Sequence, residues 1–179
     1  MPVPGGALLV VPGVARYGEA PNVMRGEETQ IAGALALDLA LREGSLLVMP
    51  GTHSKWVSIE QGRIARFDTY MTGELFALLR GHSILGRFAR DLPKPAEDAA
   101  ADAAFLRGVR AVRKGEHVAP LLFSARALVL TGGLRPELSL DYLSGLLIGE
   151  ELLCGLRDRT EGVVLIGDPA LCRRYREAL

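Results

Sequence analysis

The sequence predicts an α/β fold, in which buried strands alternate with helices around one core. Three observations predict it. Short apolar runs closed by turn residues, at 7–11, 45–49 and 163–166, read as buried strands. Helix-length stretches lie between them, at 27–43, 97–114 and 140–157. The composition is globular: of 179 residues, 49% are hydrophobic and 23% charged, far from the balance of a disordered chain. A chain of this size buries about two thirds of its unfolded surface, enough for a core without metals or disulfides.

Taken in order, Ala7–Val11 (ALLVV) is a strand closed by Pro12-Gly13, and Val14–Gly26 reads as a polar loop. Glu27–Glu43 has Ile31, Ala34, Leu35, Asp38 and Leu39 at helical spacings and Gly44 as its stop. Acidic Glu27 and Glu28 suit the positive end of that helix dipole. Ser45–Met49 is a buried strand, Pro50-Gly51-Thr52-His53 a turn, and Lys55–Glu60 the next strand. Gln61-Gly62 turns the chain into Arg63–Tyr70, which completes a β-meander. Thr72–Arg80 and Ile84–Arg90 read as short helices, followed by a Pro-containing connection at Leu92–Pro95. Glu97–Lys114 is an Ala-rich helix, and Leu140–Arg157 is apolar enough to lie between layers. A strand at Val163–Ile166, then Gly167, leads into a last helix, Ala170–Leu179. Asp168 is its N-cap and Pro169 its first helical residue.

Several functions are disfavoured at once. Lys plus Arg (21) equals Asp plus Glu (21), whereas nucleic-acid binding calls for a basic surplus. No apolar run approaches the ~18 residues of a membrane span. Met1–Gly6 has no basic n-region, so a soluble, cytoplasmic protein is expected. Cys154 and Cys172 lack CxxC spacing and read as free buried thiols. His53, His82 and His117 stand far apart, so no metal ligands are assigned. P-loop, GxGxxG and GxSxG motifs are absent.

Two polar clusters remain. Asn22-Val-Met-Arg-Gly-Glu-Glu-Thr-Gln30 sets Arg25, Glu27 and Glu28 where a loop enters a helix. That arrangement is either a solvated helix start with a surface ion pair, or a carboxylate base beside a cation that grips an anion. Met49-Pro-Gly-Thr-His-Ser-Lys55 is a tight turn between strands. By itself it is an ordinary hairpin, although a Gly-Thr turn also offers N–H groups and a hydroxyl to a phosphate oxygen.

The order of the clusters, a carboxylate at a helix start followed by a Gly-Thr hairpin, resembles the acetate and sugar kinase/Hsp70/actin superfamily. NVMRGEETQ, MPGTHSKWV, YMTGELFALLRGHSILG and DYLSGLLIGEE resemble segments of the 2-dehydro-3-deoxygalactonokinase family, in family order from Asn22 to Leu179. The resemblance implies a ribonuclease H-like lobe with a mixed sheet flanked by helices. Residues 1–26 would end an N-terminal lobe and its connection, and 27–179 would form a C-terminal kinase lobe, incomplete at its C-terminus. It implies ATP-dependent phosphorylation of 2-dehydro-3-deoxy-D-galactonate to its 6-phosphate, with ATP and Mg2+ as cofactors. The partners are then a small sugar acid and ATP, with neither nucleic acid nor membrane, and there is room for a homodimer.

By the match, Glu27 follows Gly26 as the superfamily's base follows a glycine, with Glu28 as the alternative. Gly51 and Thr52 match the hairpin that contacts the β- and γ-phosphates, and His53 and Ser54 belong to the same turn. Gly167 matches the adenosine-binding element. Asn22 and Arg25 fall on the substrate side, Arg25 as partner of a carboxylate. Glu27 and Thr52 are therefore expected to face a common cleft. Family members open with an Asp-x-Gly-Ser/Thr strand–turn that holds Mg2+–phosphate, and none occurs in this sequence. Little kinase activity is thus expected of this polypeptide alone. A non-catalytic sugar- or nucleotide-binding lobe, and a superfamily kinase for another sugar acid or polyol, are the alternatives.

Overall fold

Full burial of the run Ser45–Met49 requires cover on both faces, and helices on the two sides of the sheet supply it. The computed structural model describes residues 12–89, 92, 99–114, 117–157, 159 and 162–179. The expected strand Ala7–Val11 and all of the Leu92–Pro95 connection but Leu92 lie outside the described residues. The main sheet has four strands: β3 (Ser45–Met49), β4 (Ser54–Glu60), β5 (Arg63–Tyr70) and β6 (Val163–Leu165), in the order β5-β4-β3-β6. The meander β3-β4-β5 is antiparallel, while β6 joins β3 in parallel, pairing Val48 with Leu165. This is a mixed sheet, flanked by helices.

Alternation along β3 sorts the core. Leu46 and Val48, with Trp56 of β4, face three helices: α3 (Ala99–Arg113), α6 (Ser139–Gly155) and α7 (Pro169–Ala178). Leu47 and Met49, with Val57, Ile59 and Phe67, face α1 (Glu27–Leu37) through Ile31 and Leu35. Helix α6 is apolar almost all round because it lies at the centre, as its composition predicts. It crosses α3 so closely that a Cβ on Gly145 would lie 2.0 Å from the carbonyl oxygen of Phe105.

Four expectations are corrected. Val14–Gly26 is not a plain loop: β1 (Val14–Arg16) and β2 (Asn22–Met24) form a hairpin held on β5 by tertiary bonds. Met24 is buried with the α1 side of the core, so this segment packs onto the same body as residues 27–179. The helix expected at 27–43 stops at Leu37, because Asp38 turns extended and its carboxylate accepts the Ala40 N–H. That local bond competes with the helix and starts a 3-10 turn, Leu39–Arg42, instead. The expected helix at Ile84–Arg90 is a single 3-10 turn, Ile84–Gly86, after α2 (Thr72–His82). Cys172 is buried but Cys154 only half-buried, and both are free. Two short helices, α4 (Val118–Leu121) and α5 (Ser124–Leu130), have no periodic signal in the sequence and are held by packing on α6. Among the described residues, no helix is long and apolar enough to cross a membrane.

Candidate active site

Strands β3 and β6 run in the same direction, so the turns that follow them lie side by side at their carboxyl ends, where open α/β sheets place ligands. After β6, the Ile166 N–H donates to the Val48 carbonyl (2.9 Å), and a Cβ on Gly167 would lie 3.4 Å from the carbonyl oxygen of Pro50. Asp168 then caps α7 by accepting the N–H groups of Ala170 and Leu171, both at 3.0 Å, as the Asp-Pro pair predicts. After β3, Gly51 and Thr52 form the other turn. The start of α2 docks on it: the Glu74 N–H donates to the Thr52 carbonyl (3.0 Å). Only glycine fits at position 73, since a Cβ there would lie 2.4 Å from the Gly51 oxygen.

Between these elements is a cavity of about 780 Å³, within the usual range for a small-molecule site. Gly51, Thr52 and Thr72 line one side, and Asp168, Arg174 and Tyr175 another. Arg174 donates to Asp141 (2.5 Å) and Arg173 to Asp102 (3.4 Å), so cations at the wall are held by carboxylates of α6 and α3.

Thr52 and His53 are exposed, and His53 Nε2 pairs with the Glu74 carboxylate. Ser54 is completely buried. Its hydroxyl accepts the Gly51 N–H (3.4 Å) and bonds the Tyr175 hydroxyl (3.1 Å), so it supports the turn from beneath and does not face the cavity. Gly51 directs its N–H inward for the same reason. Gly167 stands at the rim, next to the lining residue Asp168.

Glu27 opens α1 after Gly26, whose φ of 113° suits glycine. Its carboxylate accepts the Arg25 N–H (3.0 Å) and lies 3.4 Å from Lys55 Nζ. Lys55 is buried and also reaches the His53 carbonyl (3.5 Å). Lys55 thus ties Glu27 to the His53 carbonyl, one residue beyond Thr52, but Glu27 does not line the cavity that Thr52 lines. The expectation that both face one cavity is corrected: Thr52 lines it and Glu27 stands beside the turn. Glu28 accepts the Gly26 N–H (2.7 Å), and Arg25 is exposed on the loop before α1. Asn22 goes elsewhere: it accepts the Thr69 hydroxyl (2.8 Å) and lines a second cavity of about 640 Å³ beside Asp68, Arg16, Arg66 and Arg159.

Sequence reasoning missed Lys55, Gly73, Glu151 and Tyr175. The Glu151 carboxylate is 1% exposed, and it accepts Trp56 Nε1–H and the Tyr175 hydroxyl, each at 2.7 Å. Burial raises its pKa above the usual carboxylate range, against hydrogen bonds from Thr72, Trp56, Tyr175 and Ser54 that lower it. Burial likewise raises that of Tyr175. The available signal was a Glu pair inside an otherwise apolar helix.

The family model for 2-keto-3-deoxy-galactonokinase matches residues 1–179. The chain belongs to that family. It is 39% identical over 178 residues to the 2-dehydro-3-deoxygalactonokinase of Escherichia coli (strain K12), covering 97% of this chain and 57% of that protein. It is 43% identical over 175 residues to DgoK1 of Rhizobium meliloti (strain 1021), named a probable 2-dehydro-3-deoxygalactonokinase, covering 95% and 55%. A Sinorhizobium meliloti crystal structure, provisionally named as a 2-dehydro-3-deoxygalactonokinase, superimposes with a TM-score of 0.80 at 38% identity, covering 93% and 55%. The chain therefore spans a little over half the length of the curated relatives it matches.

Proposed function

We propose that the protein carrying this chain transfers the γ-phosphoryl group of ATP to the 6-hydroxyl of 2-dehydro-3-deoxy-D-galactonate. One observation carries this reading: the Gly51–Thr52 turn and the capped start of α7 share one cavity, as a phosphate clamp and a nucleotide element must. The sheet order, an antiparallel meander extended by a parallel strand, supports assignment of the fold as a ribonuclease H-like lobe.

Thr52 is the ligand-facing group of the turn and receives the terminal phosphates. Glu27 orients the sugar hydroxyl. The hydroxyl oxygen bonds the γ-phosphorus, the bond from that phosphorus to the bridging oxygen breaks, ADP leaves, and Glu27 accepts the proton late. Buried Lys55 fixes the carboxylate beside the turn. Arg25, exposed on the loop before Glu27, is the partner for the substrate's own carboxylate. Mg2+ belongs to this reading as a companion of ATP. Among the described residues, however, no three His, Cys, Asp or Glu side chains group to hold an ion. A nucleotide-bound magnesium calls for only one or two carboxylates beside the phosphates, and no step is assigned to the metal.

The test is ATP-dependent phosphorylation of 2-dehydro-3-deoxy-D-galactonate by the complete gene product. Turnover that is lost in Glu27→Gln supports the reading; turnover unchanged in that variant removes Glu27 as the base.

A further inference from the structure

The buried bonds beneath the turn have a fixed direction. A backbone N–H and an indole N–H can only donate. The Gly51 N–H donates to Ser54 Oγ, and the Tyr175 hydroxyl donates to Glu151 Oε2. The Ser54 hydroxyl is then left to donate, with the Tyr175 oxygen, 3.1 Å away, and the Glu151 carboxylate as its acceptors. Trp56 closes the set from the other side on Glu151 Oε1. The donors arriving from both sides end on the Glu151 carboxyl group, one on each oxygen. A buried carboxyl group is costly unless its acceptor sites are filled in this way.

We infer that Glu151 is a positioning residue for the phosphate turn. Through Tyr175 and Ser54 it draws the Gly51 N–H inward, so that Thr52 is the group presented to the ligand. Residues Thr52 and Tyr175 both line the cavity, so a ligand there is felt along the chain as far as Trp56, the sole tryptophan of the sequence. This inference rests on the reading of the cavity as a nucleotide site.

The 179-residue chain is titrated with ATP, with binding followed by equilibrium dialysis and by Trp56 emission, and melting is recorded in parallel. The native chain is expected to bind ATP with a shift in emission. Tyr175→Phe and Glu151→Gln are each expected to weaken ATP binding about five- to tenfold, the scale of one lost hydrogen bond. Ser54→Ala changes least volume and leaves the indole bond intact, so it serves if the others fail to fold. It is expected to weaken ATP binding on the same scale and to abolish the emission shift. Variants that melt lower but bind ATP within about twofold of native would make the network purely structural and overturn the inference. ATP binding with no emission change, or an undiminished shift in Ser54→Ala, also overturns it while leaving the nucleotide reading intact. Failure of the native chain to retain ATP ends both.

Discussion

Glu27 and Glu151 flank the same turn and are used in opposite ways. Glu27 sits at a helix start, partly exposed, tied to the Arg25 N–H and to one buried lysine. Glu151 sits in mid-helix, out of solvent, with both oxygens occupied by donors. A carboxylate that must meet a substrate keeps a side open to it. One that must hold a turn gives up solvent and fills its acceptor sites. On the proposed reading the difference separates chemistry from support, and it can be attacked experimentally.

The largest expected effect is on Glu27. In the complete protein, Glu27→Gln should lower kcat by about 10²–10⁴-fold and, because buried Lys55 loses its counter-charge, cost about 1–3 kcal/mol of stability. Steady-state kinetics and a melt on the same sample check both halves. An unchanged kcat would make the two carboxylates alike and dissolve the contrast.

Glu151→Ala should do the reverse and destabilise by about 2–4 kcal/mol, because a buried indole N–H and a tyrosine O–H lose their acceptor. Denaturant unfolding measures it. Gly73→Ala tests the turn from outside. A methyl group 2.4 Å from the Gly51 oxygen must displace the turn or α2, at a cost of about 1–3 kcal/mol, with weaker ATP binding.

The smallest effect is a pH dependence. The pKa of Glu151 is raised in the folded state, so the native chain holds its proton to higher pH than the unfolded chain does. Between the unfolded and folded values the native state binds more protons, and stability falls as pH rises. Above the folded value this contribution is flat. Glu151→Gln should remove that slope from a series of melts across the acid range, whereas Glu27→Gln should leave it in place.

The strands β3 to β6, the Asp168-Pro169 helix start and the Gly51–Thr52 turn were legible because each is written in neighbouring residues. The β1–β2 hairpin was not: its strands have three residues each, too short for a period, and bonds to Asp68 and Thr69 hold it. Asp38 was misread because a residue at helical spacing can bond its own backbone instead. The Asn22–Gln30 cluster was legible as polar residues at a helix start, but its members part company in space. Asn22 turns to β5 and its cavity, and Glu27 turns to Lys55.

The sequence by itself determined the α/β class, the order of strands β3 to β6 and of the long helices between them, and the residue types at their turns. Backbone preference and hydrophobic period act over a few residues, and both survive in a linear reading. Only the tertiary structure decided which carboxylate is buried. Trp56 and Glu151 are 95 residues apart, and Ser54 and Tyr175 are 121 apart. Whether a charge is exposed or enclosed depends on what the rest of the chain brings around it.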